Sequence, residues 1–106
     1  MNVLVVQENG RHESNKDFRE CFCLQRAFLK NGIACDVWGL GHSNYLEGVD
    51  FDSYNLILNL ENYDEEGWLP DLSKVNSKKF LWSIDPHIRG VHVFENIFDA
   101  GNYDLL

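Results

Sequence analysis

Residues 2–7 read Asn2-Val3-Leu4-Val5-Val6-Gln7, a short apolar run with polar residues at both ends. The run does not alternate polar with apolar, which is the pattern of a strand covered on both faces. A polar loop follows from Glu8 to Asn15, and then an amphipathic stretch from about Lys16 to Lys30. At helical spacing Phe18, Cys21, Phe22, Leu24, Phe28 and Leu29 fall within an arc of about 160°, with Arg19, Arg26 and Lys30 opposite. Ser14, with Asp17 three residues on, is a weak capping signal. Asn31-Gly32 stops the helix, because both residues tolerate the left-handed conformation. The opening therefore reads as a strand followed by a helix packed by one face against a sheet.

The same grammar continues outward. Ile33 to Trp38 reads as a second strand, Leu56 to Leu60 as a third, and Lys79 to Ile84 as a fourth. Short helical turns fit near Asn44–Glu47 and at Pro70-Asp71-Leu72. Val91 to Ala100 reads as a helix built on Val91, Phe94, Ile97 and Phe98 and stopped by Gly101. Tyr103-Asp104-Leu105-Leu106 begins a fifth strand. Alternation of this kind predicts an α/β, Rossmann-like three-layer sandwich around a mostly parallel five-stranded sheet with right-handed crossovers. The expectation is one domain over residues 1–106, cut after its first folding unit from a longer, two-domain polypeptide, because a buried strand normally leads into a covering helix. A small natural domain with a terminal edge strand is the other reading.

Composition narrows the function. The 106 residues carry 17 acids against 9 Lys and Arg, a formal charge of −8, with 44% apolar and 13% aromatic residues. So much apolar surface excludes a disordered chain. The negative charge argues against a nucleic-acid partner, because phosphates are repelled. No apolar run approaches the length of a membrane span. Between Asn31 and Ser73 there are nine acids and no Lys or Arg, a solvated acidic rim that also repels anionic ligands from that edge. Three cysteines and no export signal suggest free thiols in the cytoplasm. Cys21 and Cys23 lie about 200° apart on the helix, so they form no pair and, with Cys35, read as structural. Trp82 reads as core, Trp38 as partly exposed, and Trp68 as a loop ring for stacking on a sugar or packing on a neighbouring domain.

In open parallel sheets, ligands bind beyond the carboxyl ends of the strands, where the strand order reverses. Glu8, Asn9, Gly10, Arg11 and His12 arrive there after strand one, Glu61 after strand three, and Asp85-Pro86-His87 after strand four. With an order of 3-2-1-4-5 the first and last groups would face each other. Asp85 and His87, two residues apart around a proline, suit a general base that takes a proton from a hydroxyl. Equally, Asp85 can cap the next turn and His87 bond to backbone. The loop after strand one holds one glycine, Gly10, and matches neither the dinucleotide nor the triphosphate glycine pattern. Its polar side chains suit a sugar or another hydroxylated ligand, or plain solvation. No metal-ligand signature is present, so no metal is expected.

From Lys79 onward, KFLWSIDPHIRGVHVFENIFDAGNYDLL resembles a stretch of the spore-maturation-type (CgeB-like) glycosyltransferases of the GT-B class. The matching residues are Trp82, Asp85, His87 and Tyr103-Asp104-Leu105. The opening MNVLVVQENG, the amphipathic helix and YNLILNLE are similar to the same family's N-terminal half. The resemblance implies the acceptor-binding half of an enzyme that transfers a sugar from a nucleotide-sugar to an acceptor hydroxyl. It implies Asp85 and His87 on the acceptor side of a cleft, with Glu8, Asn9 and Gly10 beside them. The nucleotide-sugar is a co-substrate held mainly by a C-terminal half, with no other cofactor. Against the family pattern, the strand-one loop lacks the paired glycines of many GT-B members. The alternative is a non-catalytic flavodoxin-like binding or interaction domain.

Overall fold

The computed structural model describes residues 1–9, 18–60, 67–83 and 90–105. Among these residues four parallel strands form one sheet: β1 (Asn2–Val6), β2 (Ala34–Trp38), β3 (Leu56–Leu60) and β4 (Lys78–Trp82). Among the described residues two helices pack on it, α1 (Glu20–Lys30) and α2 (Val91–Gly101), and a 3-10 turn spans Phe51–Ser53. The α/β class and the parallel pairing agree with the reading of the sequence. The strand count differs: a fifth strand was expected, and four are seen.

At the fifth position Leu105 makes one parallel bridge to Phe80. The Leu81 amide donates to the Leu105 carbonyl (2.8 Å), and the Asp104 amide donates to the Lys79 carbonyl (2.8 Å). Asp104 Oδ2 accepts from the Lys79 amide (2.9 Å). A carboxylate thus occupies a donor that a fifth strand would otherwise take, and the contact is a bridge rather than a ladder.

The strand order is β2-β1-β3-β4. In register, Val5 faces Val37 on one side and Leu58 on the other, and Leu58 faces Phe80. The order considered from the sequence, 3-2-1-4-5, would have put strands one and four side by side. Instead β3 lies between them. Its entry is tied to β1 by the Asn55 amide, which donates to the Asn2 carbonyl (2.9 Å), and by Asn55 Oδ1, which accepts from the Asn2 amide (2.7 Å).

The pleat sorts the apolar residues onto two faces. Val3, Val5, Cys35, Val37 and Leu60 face α1, where Cys21, Phe22, Leu24 and Phe28 meet them. Leu4, Val6, Trp38, Ile57 and Leu81 face the other way, onto Leu72, Phe94 of α2 and Tyr103. Both faces of β1 are therefore buried, and Val3 to Val6 are essentially inaccessible.

The helix boundaries shift slightly. The expected start near Lys16, with its Ser14 and Asp17 cap, lies outside the described residues. The helix itself begins at Glu20 after Arg19. Its C-terminus matches: Gly32 takes φ 76°, and the Ile33 amide donates to the Phe28 carbonyl (2.9 Å). Helix α2 runs one residue further than expected, to Gly101, and is stopped by Asn102, the left-handed residue with φ 55°.

Four burial expectations fail. Phe18 (77% exposed) and Leu29 (54%) were placed on the core face of α1, yet the sheet takes only the narrower stripe centred on Cys21 and Phe28. Trp38 was expected to be partly open, but it is buried against Tyr45, Phe51 and Trp68. Trp82 was expected in the core and is 55% exposed, because its side of the sheet is beyond the reach of α1.

Among the described residues one charged side chain lies inside. Lys79 is 2% exposed, and its Nζ donates to the Leu72 carbonyl (2.8 Å) and to the Gly101 carbonyl (3.1 Å). The second acceptor is the last residue of α2, the partially negative end of that helix. A buried ammonium held this way locks the loop before β4 and the end of α2 to the strand itself. Lys79→Ala should cost about 2–4 kcal/mol, through two orphaned carbonyls and a cavity. Urea denaturation of the variant against the parent chain measures it.

Candidate functional site

The order reverses beside β1: the chain leaves β1 for β2 on one side and then crosses to β3 on the other. In a parallel sheet this makes the gap between the carboxyl ends of β1 and β3 the favoured binding crevice. Glu8 and Asn9, after β1, line one side of it. The carboxyl end of β4 stands one strand further out, about 10 Å from that of β1. This corrects the facing arrangement considered from the sequence.

Of the site residues proposed from the sequence, Glu8 and Asn9 are described. Gly10, Arg11, His12, Glu61, Asp85 and His87 lie outside the described residues. Glu8 is held by Arg19 in two ways: Arg19 Nε donates to the Glu8 carbonyl (2.7 Å), and its guanidinium pairs with Oε1 (3.5 Å). Asn9 joins the loops after β1 and β2. Its amide donates to the Leu40 carbonyl (3.0 Å), and Nδ2 donates to the Gly41 carbonyl (2.6 Å). Gly41 has φ 87°, and a Cβ there would press into the Asn9 side chain, so the contact requires glycine.

Gln7 organises this rim from below. It is completely buried. Its Oε1 accepts from the Cys21 amide in the first turn of α1 (2.9 Å), and its own amide donates to the Trp38 carbonyl at the end of β2 (3.1 Å). The next two amides of the helix, of Phe22 and Cys23, both donate to the Arg19 carbonyl (3.0 and 3.1 Å). Three of the donors that a helix N-terminus can offer to phosphate, the amides of Cys21, Phe22 and Cys23, are thus already engaged within the chain.

Two residues that the sequence reading passed over complete the described part of the rim, Arg19 and His42. His42 Nε2 lies 2.8 Å from the Gln7 carbonyl. A carbonyl only accepts, so Nε2 carries the proton. The imidazole also stands edge-on to Phe22, with centroids 5.4 Å apart. Burial lowers its pKa from the ordinary 6.5, the Gln7 carbonyl opposes that shift, and the Arg19 charge adds to it. Periodicity offers no signal for either residue. His42 falls in an irregular loop, and Arg19 falls on what reads as the polar face of the helix.

An aromatic group stands behind the rim. Trp38 packs on Tyr45 (centroids 5.2 Å), Phe51 (5.7 Å) and Trp68 (6.2 Å). Trp68 is therefore engaged within this domain. The thiols of Cys21 and Cys35 are pushed up to about 11 by burial, so both stay protonated near neutral pH. Cys23 is exposed beside Arg26 (3.4 Å). Among the described residues no group of three His, Cys, Asp or Glu is arranged to hold a metal ion, and no helix is long and apolar enough to cross a membrane.

No known family, characterised protein or solved structure matches the chain.

A cavity of about 240 Å³ lies away from the crevice, between Leu69–Leu72 and the end of α2 (Ile97, Ala100, Gly101, Tyr103).

The buried imidazole sets a pH dependence. With its pKa lowered in the folded state, His42 takes up a proton in the unfolded chain first. Stability is therefore full above pH 6.5 and falls as the pH drops below it. His42→Gln keeps a donor for the Gln7 carbonyl without titrating. Its unfolding midpoint should change less between pH 7.5 and about 5.5 than that of the parent chain, as read by thermal melts across that range.

Proposed function

We propose that this chain is the acceptor-binding half of a GT-B-like glycosyltransferase that joins a sugar from a nucleotide-sugar to an acceptor hydroxyl. The observation that supports the reading best is the parallel sheet whose order reverses at β1. It supports a crevice beside the end of β1, where Glu8 and Asn9 stand; in the sequence Gly10, Arg11 and His12 come next, Glu61 comes after β3, and Asp85 and His87 come after β4. The resemblance over the fourth strand and beyond, at Trp82, Asp85 and His87, supplies the reaction class.

In this reading the acceptor hydroxyl lies near Asp85 or His87, one of which takes its proton as it attacks the anomeric carbon, and the bond from that carbon to the nucleotide breaks, releasing the nucleotide with the bonding electron pair. The other orients the acceptor. Glu8, Asn9, Gly10, Arg11, His12 and Glu61 form the polar surround that binds hydroxyl groups. The nucleotide-sugar is held mainly by a C-terminal domain of the same protein, and closure of the two halves excludes the water that would otherwise hydrolyse the donor. The engaged amides at the start of α1 fit that division, since they leave phosphate recognition to the other half. No metal and no other cofactor are assigned. The three free thiols suit a cytoplasmic protein.

One observation favours a second reading. The order β2-β1-β3-β4 is that of flavodoxin-like sheets, and in a binding or interaction domain of that type neither Asp85 nor His87 would have a chemical role. The variants Asp85→Asn and His87→Ala, made in the full reading frame, separate the two. The first reading expects sugar transfer to fall about 10²–10⁴-fold in at least one variant, with the fold intact by circular dichroism. Unchanged transfer in both removes the assigned roles. A parent protein that neither transfers sugar nor binds any nucleotide-sugar, but holds a protein partner, favours the second reading.

A further inference from the structure

The cleft of about 240 Å³ between the loop before β4 and the end of α2 is held open by polar ties. Leu69 and Pro70 line it from the loop, and Ile97 and Ala100 from the helix. Its deepest lining residues are Leu72 and Tyr103, which are 1% and 8% exposed. Close packing ordinarily fills such a space, because a gap forfeits dispersion contacts along both walls. Here Lys79 Nζ donates to the Leu72 carbonyl on one wall and to the Gly101 carbonyl on the other. The buried ammonium therefore fixes the separation of the walls. Asn59 Nδ2 donates to the Tyr103 hydroxyl (2.6 Å) and fixes that ring from β3. A Cβ on Gly101 would press into the same ring, so only glycine lets Tyr103 lie against the end of α2.

We infer that this cleft binds a small neutral aromatic molecule of two fused rings that carries one hydrogen-bond donor. The cleft lies away from the crevice, so the inference does not depend on the glycosyltransferase reading. Size sets the number of rings. An apolar cavity of about 150 Å³ takes one benzene, and this one is larger, at about 240 Å³. The aliphatic walls suit an apolar body, and Tyr103 offers a ring for another ring to lie on. Charge selects a neutral molecule. Asp71 is an exposed part of the lining. Hydrogen bonds from Ser73 hold its carboxyl below the usual carboxylate range, so it is ionised near neutral pH. Lys79 stands as a cation between the walls. An anion is repelled by Asp71 and a cation by Lys79, while a neutral molecule meets neither penalty. The donor answers the end of α2, where the last four carbonyls lack partners inside the helix. The Phe98 and Asp99 carbonyls accept from the amides of Tyr103 and Asn102, and the Gly101 carbonyl accepts from Lys79. Among the described residues the Ala100 carbonyl meets no donor, and Ala100 lines the cleft.

Proton–nitrogen correlation spectra of the 106-residue chain, titrated with indole, test this. Indole should shift the amides of Leu72, Ala100, Gly101 and Tyr103 saturably, with a Kd of about 0.1–1 mM. Blocking the donor, as in 1-methylindole, should weaken binding about fivefold. Indole-3-carboxylate, an anion, and tryptamine, a cation, should each bind more weakly than indole. Ala100→Leu, a change that suits a helix and fills the wall, should abolish the saturable shifts and keep the melting temperature of the parent chain. Indole shifts that stay linear to about 5 mM, or that fall outside the cleft, overturn the inference. So does any of the three analogues binding as tightly as indole, and so does an Ala100→Leu chain that keeps full indole affinity. The analogue series uses the parent chain alone, so its outcome stands even where the variant fails to fold.

Discussion

Gln7 is the residue on which the rim of the crevice depends. It ends the most deeply buried strand, where an unpaired amide group would be costly. Its side chain instead caps α1 at Cys21, its backbone amide closes on Trp38, and its carbonyl holds His42. A single buried glutamine thus fixes the end of β1, the start of α1 and the loop after β2 relative to one another. Gly39 belongs to the same constraint. A Cβ there would press into the Gln7 carbonyl, so the loop after β2 can come this close only as glycine. Arg19 and Asn9 then extend the tie outward, one to Glu8 and one to Gly41.

The opposite end of the domain is held differently. There the buried ammonium of Lys79 gathers carbonyls from the loop at Leu72 and from the end of α2. Asn59 Nδ2 donates to the Tyr103 hydroxyl (2.6 Å), which links β3 to the segment after α2. These polar contacts lie within an otherwise apolar layer. They fix how α2 sits without adding to the hydrophobic area, and a satisfied buried polar network of this kind favours one arrangement over its neighbours. Rigidity is therefore concentrated around β1 and around the face that α2 covers. Among the described residues the α1 side of β4 shows no comparable tie.

Much of this architecture was legible from local pattern. The unbroken apolar runs around Val3, Val37, Leu58 and Leu81 became four strands, and the stripe at Val91, Phe94, Ile97 and Phe98 became α2. Sheet order was not legible, because it is set by long-range pairs such as Asn2 with Asn55, which leave no periodic trace. Burial was readable only where the covering element was also known. Trp38 and Trp82 end equivalent strands, and their positions look alike in the sequence. One meets Tyr45, Phe51 and Trp68, while the other faces a side on which α1 stops short. Of the site residues proposed from the sequence, Glu8 and Asn9 are described, and they stand directly after β1 as their place in the sequence implied. His42 and Arg19 were missed because their roles come from contacts with Gln7 and Glu8 rather than from spacing.

The engaged first turn of α1 bears on what kind of ligand the crevice suits. Phosphate sites in related layouts use free helix amides and close backbone approach through glycines. Here Cys21, Phe22 and Cys23 direct their amides to Gln7 and Arg19, and Arg19, a cation of the described rim, already faces the Glu8 carboxylate. The acidic composition of the chain disfavours an anion further. A neutral, hydroxyl-rich molecule meets none of these penalties. It can exchange hydrogen bonds with carboxylate, amide and imidazole groups without a net charge to neutralise. The same features that disfavour an anion at this rim leave a neutral, hydroxyl-rich ligand without a comparable penalty.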